Sequence, residues 1–328
     1  YDVVQTANGP YAVGGGGTVA RKHEGNWEAL IQSGPSGQGS VLRTIAVTDE
    51  GNRVWFAGAS GALGMYDLRK GEKQDYSYSG DATTSWQEIA VSGKAGEERA
   101  LLANGSGAVV SFAVEGTEIS FSEPTEPGQG DKVTALETTS DGVGYAVDDA
   151  GKAYRANPEG WSSLGTVNAG TTLTDIYADS TGRILVSATD GQLYKYERAE
   201  ESWTPIQVAR SALLSVDVFQ GHVVVLATGA TFFTRPVTGN RSWKRTEART
   251  GNNLVALALG YPDVAVGKSG TVVERPRGEQ KRGTGSEESP PTEPPVDPCT
   301  VLTEEMVERL DTHALLELVE EHGWTRAF

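Results

Sequence analysis

A glycine closes a short apolar run again and again along this chain, at Gly17, Gly61, Gly107, Gly151, Gly191 and Gly270. The strings around the mark repeat as well: YAVGGGGTVAR, LANGSGAVVSF, YAVDDAGKAYR, LVSATDGQLYK and VAVGKSGTVVE. A further unit, LATGATFFTR, holds Ala230 where the glycine is expected. The marks lie about 39 to 46 residues apart, the period at which small β-sheets repeat around an axis. Each unit reads as strand, turn, strand, glycine turn, strand, loop, strand. Seven first strands can be aligned: DVVQTA, LRTIAV, WQEIAV, VTALET, LTDIYA, LLSVDV and LVALAL. Their apolar residues alternate with period two, which favours strands over helices. Turn chemistry follows them at Asp49-Glu50-Gly51-Asn52, Asp141-Gly142 and Ser180-Thr181-Gly182. The recurring glycine supplies a positive φ at the next hairpin. The expected fold is therefore all-β, a seven-bladed β-propeller over residues 1–275, followed by a Pro-rich linker and a short C-terminal helical tail.

A tryptophan opens the outer strand at Trp27, Trp161, Trp203 and Trp243, and packing between adjacent blades is its expected role. Units two and three depart from this, with longer polar loops at 67–85 and 122–131, where a rigid scaffold tends to mount binding surfaces. The seventh unit offers three strands before its text turns to RGEQKRGTGSEESPPTEPPVDPC. An open edge is an aggregation liability. With Tyr1 in first place rather than Met, the expectation is a longer natural product whose upstream residues supply the missing strand.

The phrases YAVGGGGTVARKHEGNWEAL and VAVGKSGTVVERP resemble the repeats of the BNR-type and photosystem II assembly factor-like propellers, over residues 1 to about 275. The resemblance implies the seven-bladed fold. The family's Asp-box survives only in fragments, at Lys22-His23-Glu24-Gly25-Asn26-Trp27 and Asn157-Pro158-Glu159-Gly160-Trp161. No assembly-factor activity is carried over, because the basic face expected for it is not apparent in the sequence.

Residues 276–302 are rich in Pro, Gly, Ser, Thr and Glu and read as a flexible linker. Residues 303–328 read as helix, with Thr303 as cap and Glu304 and Glu305 in the first turn. Met306, Leu310, Leu315, Leu318 and Val319 form its apolar face. So short a helix does not fold alone, so this face is expected to dock on a protein partner or on a second copy.

The net charge of −16 argues against nucleic acid as a partner, and no apolar run reaches the roughly 18 residues of a membrane span. The 28 basic residues divide into 10 Lys and 18 Arg. That acidity and lysine scarcity resemble salt-in halophiles, whose molar salt screens acidic surfaces. One cysteine, Cys299, rules out an intrachain disulfide. Four histidines (His23, His222, His313 and His322) and no CxxC or HExxH leave no zinc motif. No metal or other cofactor is expected.

A sialidase-like enzyme on this fold needs an arginine cluster for a substrate carboxylate. Arg43, Arg99, Arg155 and Arg183 are available, but in no motif that assigns a role. The inner strands carry Glu88, Glu137, Asp175 and Asp217, expected to line a solvated acidic channel rather than a calcium site. Asn104-Gly105-Ser106 and Asn240-Arg241-Ser242 fit the glycosylation pattern. Taken together, the sequence points to a non-enzymatic binding or assembly protein on a cell or virion surface, anchored through its tail, with a glycan as a further candidate ligand. The competing readings are a glycan-acting hydrolase of the sialidase-like type and an intracellular assembly scaffold.

Overall fold

The computed structural model describes residues 1–77, 85–239 and 241–276. Tyr1–Gly278 forms one compact unit. The linker and tail expected at 276–302 and 303–328 fall outside the described residues beyond Pro276, as do Met306, Leu310, Leu315, Leu318, Val319, Cys299 and Asn240.

Seven antiparallel sheets follow one another around an axis, six of four strands and the last of three. Blade 1 runs through Asp2–Thr6, Gly9–Val13, Val19–His23 and Asn26–Ile31. The innermost strands of the other blades are Leu42–Val47, Trp86–Ser92, Val133–Thr138, Leu173–Ala178, Leu213–Phe219 and Leu254–Ala258. These are the seven first strands aligned in the sequence. The ring closes where blade 7 meets blade 1. Val264, Val266 and Ala258 pack with Val3, Ala12 and Trp27, while Gln5 Nε2 donates to the carbonyls of Ala258 and Pro262.

The outer-strand tryptophans pack back onto the preceding blade, as the repeat implied. Trp161 meets Leu101, Ala103 and Val109 of blade 3, and its indole N–H donates to Thr125 Oγ1. Trp203 donates to the Leu164 carbonyl of blade 4. Blades 2 and 3 solve the same problem differently. The fourth strand of blade 2, Glu72–Asp75, has no aromatic residue. The bulk comes instead from Trp55 and Trp86, both fully buried. Trp55 lies against Tyr76 at 5.3 Å and Phe112 at 4.9 Å between ring centroids. Each such aromatic burial contributes roughly a few kcal/mol.

The marked glycines occupy the hairpins between second and third strands. Gly151 has φ +85° and Gly191 φ +83°, and an added Cβ would lie 2.0 Å from the Asn168 carbonyl oxygen or 2.3 Å from that of Ala209. The mark is thus fixed twice, by backbone hand and by the chain returning from the fourth strand. The Asn or Asp preceding it finishes the turn. Asp148 Oδ1 accepts the N–H of Ala150 and Lys152, and Asn104 Oδ1 accepts those of Ser106 and Ala108. Asn104 is buried in this role. Its sequon-like setting is turn chemistry, and its side chain is not presented to solvent.

Candidate functional site: the central channel

The innermost strand of each blade pairs on one side only, so its other edge of N–H and C=O groups faces the axis. Buried backbone groups need partners. The inward side chains supply several of them by reaching across to the next blade. Asp2 Oδ2 accepts Ile45 N–H at 2.9 Å, Thr44 Oγ1 accepts Ile89 N–H at 3.1 Å, and Asp175 Oδ2 accepts Val216 N–H at 2.8 Å. Asp217 Oδ2 accepts Leu259 N–H at 2.7 Å. The second oxygens of Asp2, Asp175 and Asp217 accept the N–H of the residue that follows each. These carboxylates are clasps between blades. Across blades 3, 4 and 5 the pattern lapses. Glu88 makes no hydrogen bond among the described residues, and Glu137 accepts only its neighbour Thr138 N–H.

The strand register shifts at the second residue of most inner strands: between Leu42 and Thr44, Val133 and Ala135, Leu173 and Asp175, Leu213 and Ser215, and Leu254 and Ala256. A bulge re-aims its extra residue. Arg43, Thr134, Thr174, Leu214 and Val255 accordingly line the channel with Tyr1. The channel encloses about 500 Å³.

Enclosure raises the carboxyl pKa values, because the charged form loses water. Burial lifts Asp175 to about 6, opposed by hydrogen bonds from Val216, Ser215 and Ile176. It lifts Asp217 to about 7 and Glu137 to about 8. Glu88 stands well above the usual carboxylate range, through burial and then the nearby Asp2 and Asp175 charges. At neutral pH the channel is therefore less anionic than its composition suggests, with Glu137 carrying a proton.

Unfolded carboxyls ionise near pH 4. The folded state holds these protons to pH 6–8, so it binds more protons than the unfolded chain. The stability contributed by these three carboxyls is then full below about pH 4 and falls as pH rises through about 8. Glu137→Gln, which keeps the size and removes the charge, is expected to raise stability at pH 9 by on the order of 1–2 kcal/mol, allowing for channel water, and hardly at all at pH 4. Thermal melts across pH measure this, and a difference independent of pH would refute it.

Of the residues singled out in the sequence, Glu88, Glu137, Asp175 and Asp217 do line the channel. No three His, Cys, Asp or Glu among the described residues converge closely enough to hold a metal ion. The four arginines do not gather. Arg43 lines the channel. Arg99 lines a groove between blades 3 and 4, Arg155 is exposed on the third strand of blade 4, and Arg183 pairs with Asp179 at 2.8 Å. His23 and His222 are exposed and lie outside the channel lining. Asp2 and Thr44, which join neighbouring blades, and Gln5, which spans the closing seam, were not singled out in the sequence. Aligning the inner strands in register places Asp2, Thr44, Glu88, Asp175 and Ser215 in one polar column, the signal that could have found them.

No family model matches the chain, nor does any curated protein. Solved structures match at low identity. Virginiamycin B lyase from Staphylococcus aureus is 10% identical with a TM-score of 0.69, covering 84% of this chain and 93% of that one. YCF48 from Cyanidioschyzon merolae is 15% identical at TM-score 0.63, covering 84% and 94%. YCF48 bound to D1 peptide is 14% identical at TM-score 0.66, covering 84% and 92%. At these identities the likeness shows the fold alone. It agrees in fold with the photosystem II assembly factor-like repeats seen in the sequence. With 1667 matching chains, the fold by itself selects no function.

Proposed function

We propose that the chain is a non-enzymatic binding or assembly protein that presents propeller loops to a protein partner. One observation carries this reading: in the channel, where ionisable groups converge, Asp2, Asp175 and Asp217 are engaged in holding neighbouring blades together. Thr44 is engaged likewise, and among the described residues no histidine lines the channel to act as base. Catalysis needs groups free to change partners along a reaction. Among proteins of this fold, YCF48 bound to D1 peptide and a chain of the mitotic checkpoint complex are described in assemblies, which suits a partner-binding role. Virginiamycin B lyase shares the fold too, so the shape is neutral on the point. We place the protein on a cell or virion surface in molar salt, with the apolar face at Met306, Leu310, Leu315, Leu318 and Val319 as its anchor.

The second reading, a hydrolase of charged glycans, has in its favour Arg43, a guanidinium in the channel with no ion pair among the described residues, and the Glu88 and Glu137 carboxyls, which clasp no neighbouring blade. Incubation with sialylated and uronate-bearing oligosaccharides tests both readings. No turnover is expected; turnover lost on Arg43→Ala would sink the non-enzymatic one. Light scattering at high salt on the full chain and on a chain cut near Pro290 tests the anchor. The full chain is expected to self-associate, or to bind a partner, only while the tail is present.

A further inference from the structure

The outer edge of blade 7 carries no strand among the described residues. Its third strand, Val272–Arg275, pairs with Asp263–Gly267 on one side and with no described strand on the other. In other blades the marked residue touches the chain returning from the fourth strand. Gly17 and Gly151 carbonyls accept the N–H of Gly34 and Val167, and a Cβ on Gly17, Gly107, Gly151 or Gly191 would lie 2.0–2.3 Å from backbone there. Gly270 sits at the same place with φ +70°, and a Cβ on it would meet nothing within 4 Å among the described residues. The indole of Trp27 is redirected as well. Where Trp161 and Trp203 reach the strand or loop before them, Trp27 Nε1 donates to Glu274 Oε1 of Val272–Arg275. Grooves of about 490 Å³ and 300 Å³ flank the edge, the first with Trp27, Ala29 and Val272 in its lining, the second with Phe232, Ala248 and Val273.

We propose that this edge binds an extended segment of another polypeptide chain, antiparallel to Val272–Arg275, as the outer strand of blade 7. Edge pairing supplies main-chain hydrogen bonds, and alternate side chains fill the pockets on either face. The chain itself shows what such a site holds: the fourth strands NWEALI, GWSSLGT and SWTPIQ each place tryptophan second and an aliphatic residue three further on. Every described segment of the chain is already placed elsewhere. Charge sets the far end. A fourth strand finishes beside the marked glycine, and here that end carries Lys268, which is in no ion pair among the described residues of a protein of net charge −16. The occupant is thus an aromatic-aliphatic strand ending in a carboxylate. This gives the binding role proposed above one surface, but it stands on blade 7 alone, so its failure would leave the outcome of the glycan assay unchanged.

The probe is a fluorescein-labelled peptide of residues 25–33, GNWEALIQS, with a free C-terminal carboxylate, titrated into the full chain. We expect 1:1 binding with Kd on the order of 10⁻⁵ M, slowed hydrogen exchange of the Val272–Arg275 amides, and at least about tenfold weaker binding by Gly270→Leu, whose side chain is far larger than the methyl that Ala230 carries beside the fourth strand of blade 6. Circular dichroism checks that this variant folds, and Lys268→Glu, also expected to weaken binding, serves if it does not. The proposal is overturned by no binding, by binding that leaves those amides unprotected or is indifferent to the variants, or by amides already protected without peptide, which would mean the chain or a second copy fills the site.

Discussion

Arg53→Leu is expected to destabilise the propeller by about 3–5 kcal/mol, the usual penalty for stripping the counter-charge from buried carboxylates. Arg53 lies in the second strand of blade 2 and is buried with both its partners. Its Nε donates to Asp67 Oδ2 at 2.9 Å and its Nη1 to Glu98 Oε1 at 3.0 Å. Glu98, fully buried, belongs to blade 3. Its other oxygen accepts Gly96 N–H at 2.7 Å. Asp67 Oδ1 takes the N–H groups of Arg69 and Lys70. Burial pushes the Asp67 carboxyl up, but those amides and Arg53 hold it below its ordinary value. One guanidinium therefore fastens the end of blade 2 to the turn of blade 3, at the interface that lacks an outer-strand tryptophan. With leucine, two carboxylates face each other without a cation. Urea titration at pH 7 and pH 4 checks this, and the loss should shrink at pH 4 as the stranded carboxyls take up protons. A small loss independent of pH would mean that water reaches the pair.

That fastening was illegible in the sequence, and the reason is physical. Arg53 and Asp67 face each other across one hairpin of blade 2, but Arg53 and Glu98 are 45 residues apart, so only the stacking of two blades brings Glu98 to the pair. What local chemistry dictates could be read directly: period-two strands, Gly-containing turns, and tryptophans that need a neighbouring blade to cover them. The channel acids were legible as residues and not as clasps. The bulge at the second residue of most inner strands decides which side chain turns toward the next blade, and no propensity marks a bulge at Thr134 or Thr174. Asn104 misled in the opposite way. Its triplet matches a surface modification pattern, yet its side chain is held in a hairpin by the same geometry that holds Asp148. The three-strand reading of the seventh unit agrees with the described residues, since nothing beyond Val272–Arg275 in that text alternates as a strand should.

Gly151→Ala and Gly270→Ala form the sharper comparison, because the two residues share a backbone hand and differ in what surrounds them. At φ +85° and +70°, an alanine costs about 1–2 kcal/mol from the left-handed conformation alone. The chain contains a natural control for that term: Ala230 occupies the equivalent turn of blade 6 at φ +51°. It is buried, and its carbonyl still accepts Ala248 N–H at 2.9 Å. Left-handed backbone with a methyl group is thus tolerated where there is room. Gly151 has none. Its Cβ would lie 2.0 Å from Asn168 O and 3.1 Å from Thr171 O, both backbone atoms that cannot rotate away. The loop between blades 4 and 5 would have to move, loosening the Val167 N–H bond to Gly151 O at 2.8 Å. The expected loss is about 3–5 kcal/mol at Gly151, against about 1–2 kcal/mol at Gly270. Chemical denaturation of the two variants measures the gap. Equal losses would mean that conformation alone fixes the glycine mark; the expected gap would mean that the mark records the chain returning from the fourth strand, which no described residue does at Gly270.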